Sequence, residues 1–170
     1  MAHPFTQPSA GDALEDFRSF MARFPTGVAV VTTLDSAGIP RGMTCSSVCS
    51  VTLKPPTLLV CLRCGSPTLN AVLDRGLFAV NLLHERAQPV AQLFASGQPD
   101  RFDRVRWHAE PGAVPHLVDD AHAVADCRVS HTDLVGDHMV VFGEVQQVWQ
   151  QPAPEPLLYG LRQYAAWPVA

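Results

Sequence analysis

Residues 41–51 read Arg-Gly-Met-Thr-Cys-Ser-Ser-Val-Cys-Ser-Val, an extended pattern that is rich in small side chains. The preceding segment, residues 27–33, is β-branched and apolar. Between the two lies Asp35-Ser36-Ala37-Gly38, whose residues favour a turn. The sequence therefore predicts a β-hairpin whose second strand runs through residues 41–51.

Two explanations fit the small side chains of residues 42–47. Backbone N–H groups flanked by small residues can approach the edge of a flat ligand without steric conflict, which suits a ligand-binding strand. The alternative is a strand of small residues packed tightly inside a barrel. Composition alone leaves both explanations open.

Three helices are predicted around this hairpin. Apolar spacing over residues 12–24 indicates an amphipathic helix, with Asp12 and Glu15 as a variant capping box and Pro25 after its end. Ser66 precedes Pro67 as the N-cap of a second helix. The third covers residues 85–94.

The remaining pattern is one of many short strands. Further strands are predicted over residues 57–62, 77–82, 121–129 and 138–148. Because strands and helices do not alternate regularly, a mainly β, antiparallel barrel with a few helices is favoured over a doubly wound sheet.

Length and charge limit the classes of function. The 170 residues, 47% of them hydrophobic, fit a single domain over residues 13–170 after a mobile segment of residues 1–12. A net charge of −4 and a single lysine argue against nucleic acid as a partner. No apolar run approaches the roughly 20 residues that cross a bilayer, and no export signal is recognisable. We therefore expect no membrane association and a cytoplasmic location.

The five cysteines are predicted to be free thiols. Their number is odd and no export signal precedes them. The spacing Cys45-x3-Cys49 and Cys61-x2-Cys64 resembles a zinc ribbon, but Cys49 and Cys61 both fall within strand-like segments. No metal site is predicted.

Nucleotide fingerprints of the G-x-G-x-x-G and P-loop types are absent from the sequence, so a nucleotide would bind in another way. Seven separated motifs nevertheless resemble, in order, those of short-chain flavin reductases, the reductase components of two-component flavin-dependent monooxygenases. The resemblance extends over about residues 17–164. The motifs are Phe24-Pro25-Thr26-Gly27-Val28, Gly42-Met43-Thr44-Cys45-Ser46-Ser47, Ser50-Val51 with Pro55-Pro56, Phe78-Ala79-Val80-Asn81-Leu82-Leu83, Phe94-Ala95, Gly136-Asp137-His138 and Gly143-Glu144-Val145.

The resemblance implies a split-barrel fold, a homodimer, and reduction of FMN or FAD by NADH, with NADPH as the alternative donor. It also implies that reduced flavin passes to a partner monooxygenase. Two other hypotheses remain. The chain could be an oxidase or electron-transfer protein with bound FMN, or a non-catalytic flavin-binding module, because fold does not fix function.

The resemblance also assigns the residues that would bind flavin. Residues 44–47 match the stretch that holds the isoalloxazine edge. Ser66 and Thr68 match positions near the flavin phosphate, which agrees with the affinity of a helix N-terminus for anions. Cys45 replaces an alanine common in relatives, and its thiol is either reactive or a buried spectator. The predicted flavin-binding residues are Thr26, Gly27, Met43, Thr44, Cys45, Ser46, Ser47, Ser50, Val51, Ser66 and Thr68.

His138 is the predicted catalytic residue. On pattern alone, a histidine after Gly136-Asp137 is more often a turn residue, but the resemblance places it beside the flavin where nicotinamide stacks. Asp137 is disfavoured as its partner because adjacent strand residues point to opposite faces. A serine hydrolase using His138 is not supported, since no G-x-S-x-G motif occurs.

The C-terminal aromatic residues Tyr159, Tyr164 and Trp167 form a further candidate group. They would cap the flavin or the dimer interface, or simply pack in the core.

Overall fold

The structure is a computed structural model that describes residues 13–152 and 155–167. The capping role predicted for Asp12 and the mobile segment of residues 1–12 lie outside the described residues. No helix in the described part of the chain is long and apolar enough to cross a membrane.

The described chain contains three helices, two 3₁₀ turns and twelve strands. In chain order the elements are α1 Ala13–Ala22, β1 Thr26–Gly27, β2 Ala29–Leu34, β3 Pro40–Cys45, β4 Val48–Leu53, β5 Pro56–Arg63, α2 Pro67–Arg75, β6 Leu77–Leu83, a 3₁₀ turn Glu85–Ala87, α3 Gln88–Ala95, a 3₁₀ turn Arg101–Arg104, β7 Trp107–His108, β8 His116–Leu117, β9 Ala121–Val135, β10 His138–Gln150, β11 Leu157–Gly160 and β12 Gln163–Ala166.

Within the described residues, seven strands form one antiparallel sheet in the order β3-β2-β6-β9-β10-β5-β4. The neighbours in sequence β3 and β4 thus lie at opposite edges, so the sheet curls until its edges meet at Ser46 and Ser47. There the Cys45 thiol at the end of β3 lies 3.8 Å from the Cys61 carbonyl of β5. The Cys61 N–H donates to the Ser47 carbonyl at 3.3 Å and so continues the β4–β5 ladder. The predicted mainly β, antiparallel split barrel is confirmed.

The expectation of one continuous strand over residues 41–51 is wrong. The strand breaks after Cys45 and resumes at Val48. Ser46 and Ser47 carry the chain from one sheet edge to the other, a tertiary crossing that local pattern does not reveal.

Both faces of the sheet are covered, which explains the apolar character of β2 and β6. Val30 and Ala79 belong to a core beneath α3, whereas Val31 and Val80 belong to a second core inside the barrel. Alternate residues of a strand point to opposite faces, so neither strand has a polar side. α2 covers the barrel interior with Leu69 and Val72.

A buried polar network attaches the predicted surface excursion, residues 97–115, to these central strands. The Asn81 side-chain amide donates to the Val30 carbonyl at 3.1 Å and to Thr32 Oγ1 at 2.9 Å. Asn81 Oδ1 accepts from the Leu117 N–H at 2.8 Å. Thr32 Oγ1 in turn donates to the Pro115 carbonyl at 2.5 Å. Every polar atom of Asn81 is thereby satisfied in a fully buried position.

The ends of the described chain form a small separate layer. β1 pairs with β11, and β11 pairs with β12, in a hairpin that the sequence analysis did not predict. Tyr159 and Tyr164 face each other across it at 5.0 Å and pack on the core beneath α3, while Trp167 is exposed. Core packing therefore accounts for two of the three C-terminal aromatic residues.

α1 is amphipathic as predicted, but it buries none of its residues. The helix proper ends at Ala22, and turn-type hydrogen bonds to Phe20 and Met21 carry the chain on to Phe24. Its apolar side is therefore available to another surface.

We expect Gly143→Ala to destabilise the fold. A Cβ at this position of β10 would overlap Phe78 Cζ and lie 2.9 Å from Cys127 Cβ inside the barrel. Overpacking of this kind costs about 1–3 kcal/mol, which urea denaturation would measure. Gly27→Ala is the control, because a Cβ there meets nothing within 4 Å. Equal stabilities of the two variants would contradict this account of the packing.

Candidate functional site

An open groove of about 830 Å³ lies where the sheet edges meet. α1 and the turn after it form one wall, the Ser46–Ser47 crossing with β4 and β5 forms the floor, and the β11–β12 hairpin closes one end. Its lining is mostly apolar. The lining residues are Glu15, Phe17, Arg18, Met21, Ala22, Phe24, Thr26, Ser46, Ser47, Val48, Cys49, Leu59, Tyr159 and Arg162.

Three of the predicted flavin-binding residues line this groove: Thr26, Ser46 and Ser47. Ser46 and Ser47 are exposed, and Ser47 Oγ donates to the Cys61 carbonyl at 3.2 Å. Gly27 follows Thr26 in β1, where it pairs with Leu158. Ser46 and Ser47 are thus accessible at the crossing, whereas Gly42 of the same run packs against Phe94 and Phe102. Binding of flavin by this segment stays a prediction.

The side chains of residues 43–45 are engaged elsewhere. Met43 packs against the core inside the barrel, and Thr44 Oγ1 donates to the Ala91 carbonyl at 2.6 Å. Cys45 is buried, and burial raises the pKa of its thiol. A neutral, inaccessible thiol favours the buried-spectator interpretation of Cys45 over a reactive one. Any flavin contact by this segment would come from its backbone.

Ser50 and Val51 follow on β4, which is an edge strand of the sheet. Both are exposed, so they remain accessible beyond the groove. Their contact with flavin stays a prediction.

Ser66 caps α2 as predicted. Its Oγ accepts from the Leu69 N–H at 3.2 Å and lies 3.8 Å from Met43 Sδ. Thr68, by contrast, is buried within α2, so its hydroxyl is not presented at the surface. Of the two residues predicted near a phosphate, Ser66 is the more accessible.

His138 begins β10, where it is paired with Val135 of β9 and Arg63 of β5. Its Nδ1 lies 2.8 Å from Asp137 Oδ1. The expectation that Asp137 would point away is wrong, because Asp137 lies in the hairpin turn and not in the strand. The hydrogen bond to His138, together with its charge, lowers the pKa of Asp137.

The His138 region and the start of α2 lie at the same end of the barrel. The Cys64 N–H donates to the Asp137 carbonyl at 2.9 Å, just before Ser66. The predicted site residues thus form two groups, one in the groove and one at this end. Met43, through its contact with Ser66, lies between them.

The four cysteines of the zinc-ribbon spacing lie on different elements. Cys45 is buried at the end of β3, Cys49 is exposed on β4, and Cys61 and Cys64 are half-buried. No three His, Cys, Asp or Glu side chains within residues 13–152 and 155–167 are grouped so as to hold a metal ion.

Sequence reasoning missed the charged rim of the groove. Glu15 Oε1 lies 3.1 Å from Arg162 Nη2, and Glu15 Oε2 lies 3.9 Å from Arg18 Nη1. The i,i+3 spacing of Glu15 and Arg18 was visible in the sequence. The approach of Arg162 was not, because it depends on the unpredicted β11–β12 hairpin.

A curled antiparallel sheet with an open, mostly apolar groove has the features of a small-molecule binding protein. The match to known families is more specific. Residues 21–168 match the family described as flavin reductase like domain, and the chain belongs to this family. The resemblance drawn from the sequence is thereby confirmed.

Three relatives illustrate the family. Flavin reductase (NADPH) of Lentzea aerocolonigenes is 50% identical over 168 residues, which cover 98% of each chain. The reductase subunit HsaB of a flavin-dependent monooxygenase from Mycobacterium tuberculosis is 36% identical over 84% of this chain and 76% of its own.

The third relative is a solved structure. The NADH:FAD oxidoreductase SgcE6 of Streptomyces globisporus C-1027 superposes with a TM-score of 0.87 at 31% identity, covering 98% of this chain and all of that one. A second structure of SgcE6 is a complex with NAD and FAD fragments.

Proposed function

We propose that this chain binds FMN or FAD in the groove, reduces it with NADH or NADPH, and releases reduced flavin to a partner monooxygenase. The observation that carries the proposal is the open groove at the Ser46–Ser47 crossing in a chain of the flavin reductase family. The predicted enzyme class, an NAD(P)H-dependent flavin reductase, is confirmed by the relatives.

The groove fits a flavin by size and lining. Ligand sites commonly measure about 300–1,000 Å³ and combine apolar walls with a few polar groups. Phe24, Leu59 and Tyr159 supply apolar surface that would exclude water from a bound ring. The backbone at Ser46 would reach a polar ring edge without a side chain intervening.

The chemistry requires little acid–base assistance from the protein. Bound nicotinamide and flavin supply hydride transfer themselves, so the chain contributes proximity, orientation and exclusion of competing reactions. This distribution of roles is consistent with a groove whose floor and walls, within the described residues, are mostly small and apolar and whose charged groups lie at the rim.

We expect purified protein to oxidise NADH or NADPH only when FMN or FAD is supplied. Absorbance at the nicotinamide band with and without added flavin measures this. Oxidation that is independent of flavin, by protein carrying none, would overturn the proposal. Free flavin that is bound but not turned over would favour the oxidase, electron-transfer or non-catalytic alternatives.

The same assay tests the location of the site. Ser46→Trp would place an indole on the groove floor and should lower kcat/KM for flavin at least about tenfold, or roughly 1.4 kcal/mol. Ser130→Trp is the control, since it adds the same group on an exposed position of β9.

The choice between the nicotinamide donors stays a prediction. One relative is named for NADPH and another for NADH. We retain NADH as the expected donor.

His138 is proposed to orient the nicotinamide over the flavin without transferring a proton, which requires the bound nucleotides to extend from the groove to the end of the barrel where His138 and Ser66 lie. What supports this role is the 2.8 Å contact with Asp137, which fixes the ring through Nδ1 and leaves Nε2 for a ligand.

We expect His138→Ala to lower kcat/KM for NADH roughly ten- to a hundredfold, mainly through KM, as for an orienting contact of about 1.4–2.7 kcal/mol. Flavin affinity should change much less. His131→Ala is a matched control, because His131 also pairs with an exposed aspartate, Asp133, at 3.1 Å. Equal kinetics of the two variants would leave His138 as a turn residue, and loss of flavin instead would assign it to the other ligand.

A homodimer is proposed from the exposed apolar residues of α1 and the turn after it. Phe17, Phe20 and Phe24 are each about two-thirds exposed in the single chain, and Phe17 and Phe24 also line the groove. A contiguous apolar surface of this kind marks an interface, and a second copy is the simplest occupant.

We expect Phe20→Asp to shift the protein to a monomer at micromolar concentration, as measured by light scattering, because it buries a charge in that interface. Phe20 is suitable because it lies on α1 outside the groove lining. Ser19→Asp, which adds the same charge to a neighbouring position, should leave the dimer intact. A monomeric wild-type protein would remove the proposal.

The partner and the location complete the proposal. HsaB, a relative, is the reductase subunit of a flavin-dependent monooxygenase, which supports an enzyme of that class as the recipient of reduced flavin. Free thiols throughout the described chain fit the reducing conditions of the cytoplasm.

A further inference from the structure

The rim of the groove carries a positive excess. Glu15 lies between two guanidinium groups, at 3.1 Å from Arg162 Nη2 and 3.9 Å from Arg18 Nη1. All three side chains line the groove, and each is about 60% exposed. One carboxylate therefore faces two cations, and both guanidinium groups keep donors for another acceptor.

Arg162 is held at the rim by a turn of unfavourable composition. Leu161 and Arg162, with φ of 51° and 61°, are the non-glycine residues with positive φ in the part of the chain that the structure describes. A two-residue hairpin turn of this shape favours Asn-Gly. Leu161 is 67% exposed, so core packing does not explain the choice.

The turn is nevertheless fixed in place. The Leu161 N–H donates to the Ala22 carbonyl at 2.5 Å, which ties the turn to the end of α1. Strained backbone persists where the surroundings over-determine it, and it concentrates at ligand-binding positions. The observation to be explained is thus a charged side chain held by strained backbone at the mouth of a groove.

Phosphate is the ligand chemistry that this arrangement fits. Guanidinium groups bind phosphate through paired, charge-assisted hydrogen bonds. Two phosphates of the proposed reaction matter here, the 5′-phosphate of the flavin and the 2′-phosphate that distinguishes NADPH from NADH. Ser66 at the start of α2 is the other predicted position for the flavin phosphate, so the rim would take that phosphate in place of Ser66 or would take the 2′-phosphate of NADPH.

We propose that Arg18 and Arg162 bind a phosphate group of a nucleotide lying in the groove, and that Glu15 holds the two side chains until phosphate replaces it. The inference rests on the proposed function, which brings nucleotides to this groove. If Arg18 and Arg162 bind phosphate, the rim helps to determine which flavin or nicotinamide nucleotide the protein prefers.

The flavin arm of the test compares FMN with riboflavin, which lacks phosphate. Arg18→Gln, Arg162→Gln and the double variant should weaken FMN binding about three- to tenfold in fluorescence titrations and leave riboflavin binding unchanged, as expected for partly exposed charge-assisted contacts. Arg23→Gln is the matched control, because it removes the same charge near the end of α1 outside the groove lining.

The nicotinamide arm uses the ratio of KM for NADPH to KM for NADH. If the 2′-phosphate is the ligand, the arginine variants should raise this ratio about three- to tenfold and leave FMN and riboflavin binding unchanged. A change confined to one arm identifies the source of the phosphate.

Glu15→Gln provides a readout of opposite sign. Removing the competing carboxylate should raise the affinity for the phosphate-bearing ligand by about two- to threefold. Loss of a merely structural ion pair would not raise this affinity. Thermal unfolding of each variant checks that the fold is retained.

The inference is overturned if the arginine variants match Arg23→Gln both in the ratio of FMN to riboflavin affinity and in the ratio of KM for NADPH to KM for NADH. It is also overturned if binding of ligands with phosphate and of ligands without phosphate weakens equally. Wild-type protein that binds neither FMN nor riboflavin would instead overturn the proposed function together with it. The two failures are therefore distinguishable by the wild-type titration alone.

Discussion

The arrangement of this chain depends on the closure of its sheet at the Ser46–Ser47 crossing. β3 and β4, which are consecutive in the chain, form the two edges, and the chain crosses between them at Ser46 and Ser47, where the Cys45 thiol of β3 lies 3.8 Å from the Cys61 carbonyl of β5. Closure creates the barrel interior that α2 covers and, on the outside, the floor of the groove. Closure also brings the exposed residues Ser46 and Ser47 to the floor of the groove, so the same constraint sets the position of the site.

Closure leaves the central strands with no exposed face. Their few buried polar groups would therefore destabilise the fold unless each is hydrogen-bonded. Asn81 meets this requirement because its side chain bonds β2 and the β8 segment at once. A fully satisfied buried network of this kind fixes one arrangement of the surface excursion over the core beneath α3. The excursion is thus positioned by polar contacts in addition to the packing of Phe102 against Phe94.

Local chemistry could be read from the sequence, and long-range geometry could not. The N-cap at Ser66 and the small-residue run around Ser46 follow from propensity and spacing, and both were predicted. The break after Cys45 was missed because it reflects a crossing between sheet edges. The β11–β12 hairpin was missed because its turn, Leu161-Arg162, carries none of the usual turn residues. The contact between Asp137 and His138 was missed because it depends on whether Asp137 belongs to the turn or to β10, and sequence patterns determine the ends of strands poorly.

The least buried element of the described chain is also a wall of the groove. α1 buries none of its residues, and the Leu161–Ala22 hydrogen bond and the exposed Glu15–Arg162 pair are among the contacts that join it to the hairpin. Exposed ion pairs contribute little to stability, so the position of this wall depends also on whatever packs against the other side of α1. If that surface belongs to a second copy, dimerisation and ligand binding share one element. Linkage then requires that each strengthen the other by the same factor. A reaction governed by proximity and orientation is sensitive to this coupling, because the walls must be in place before the rings can stack.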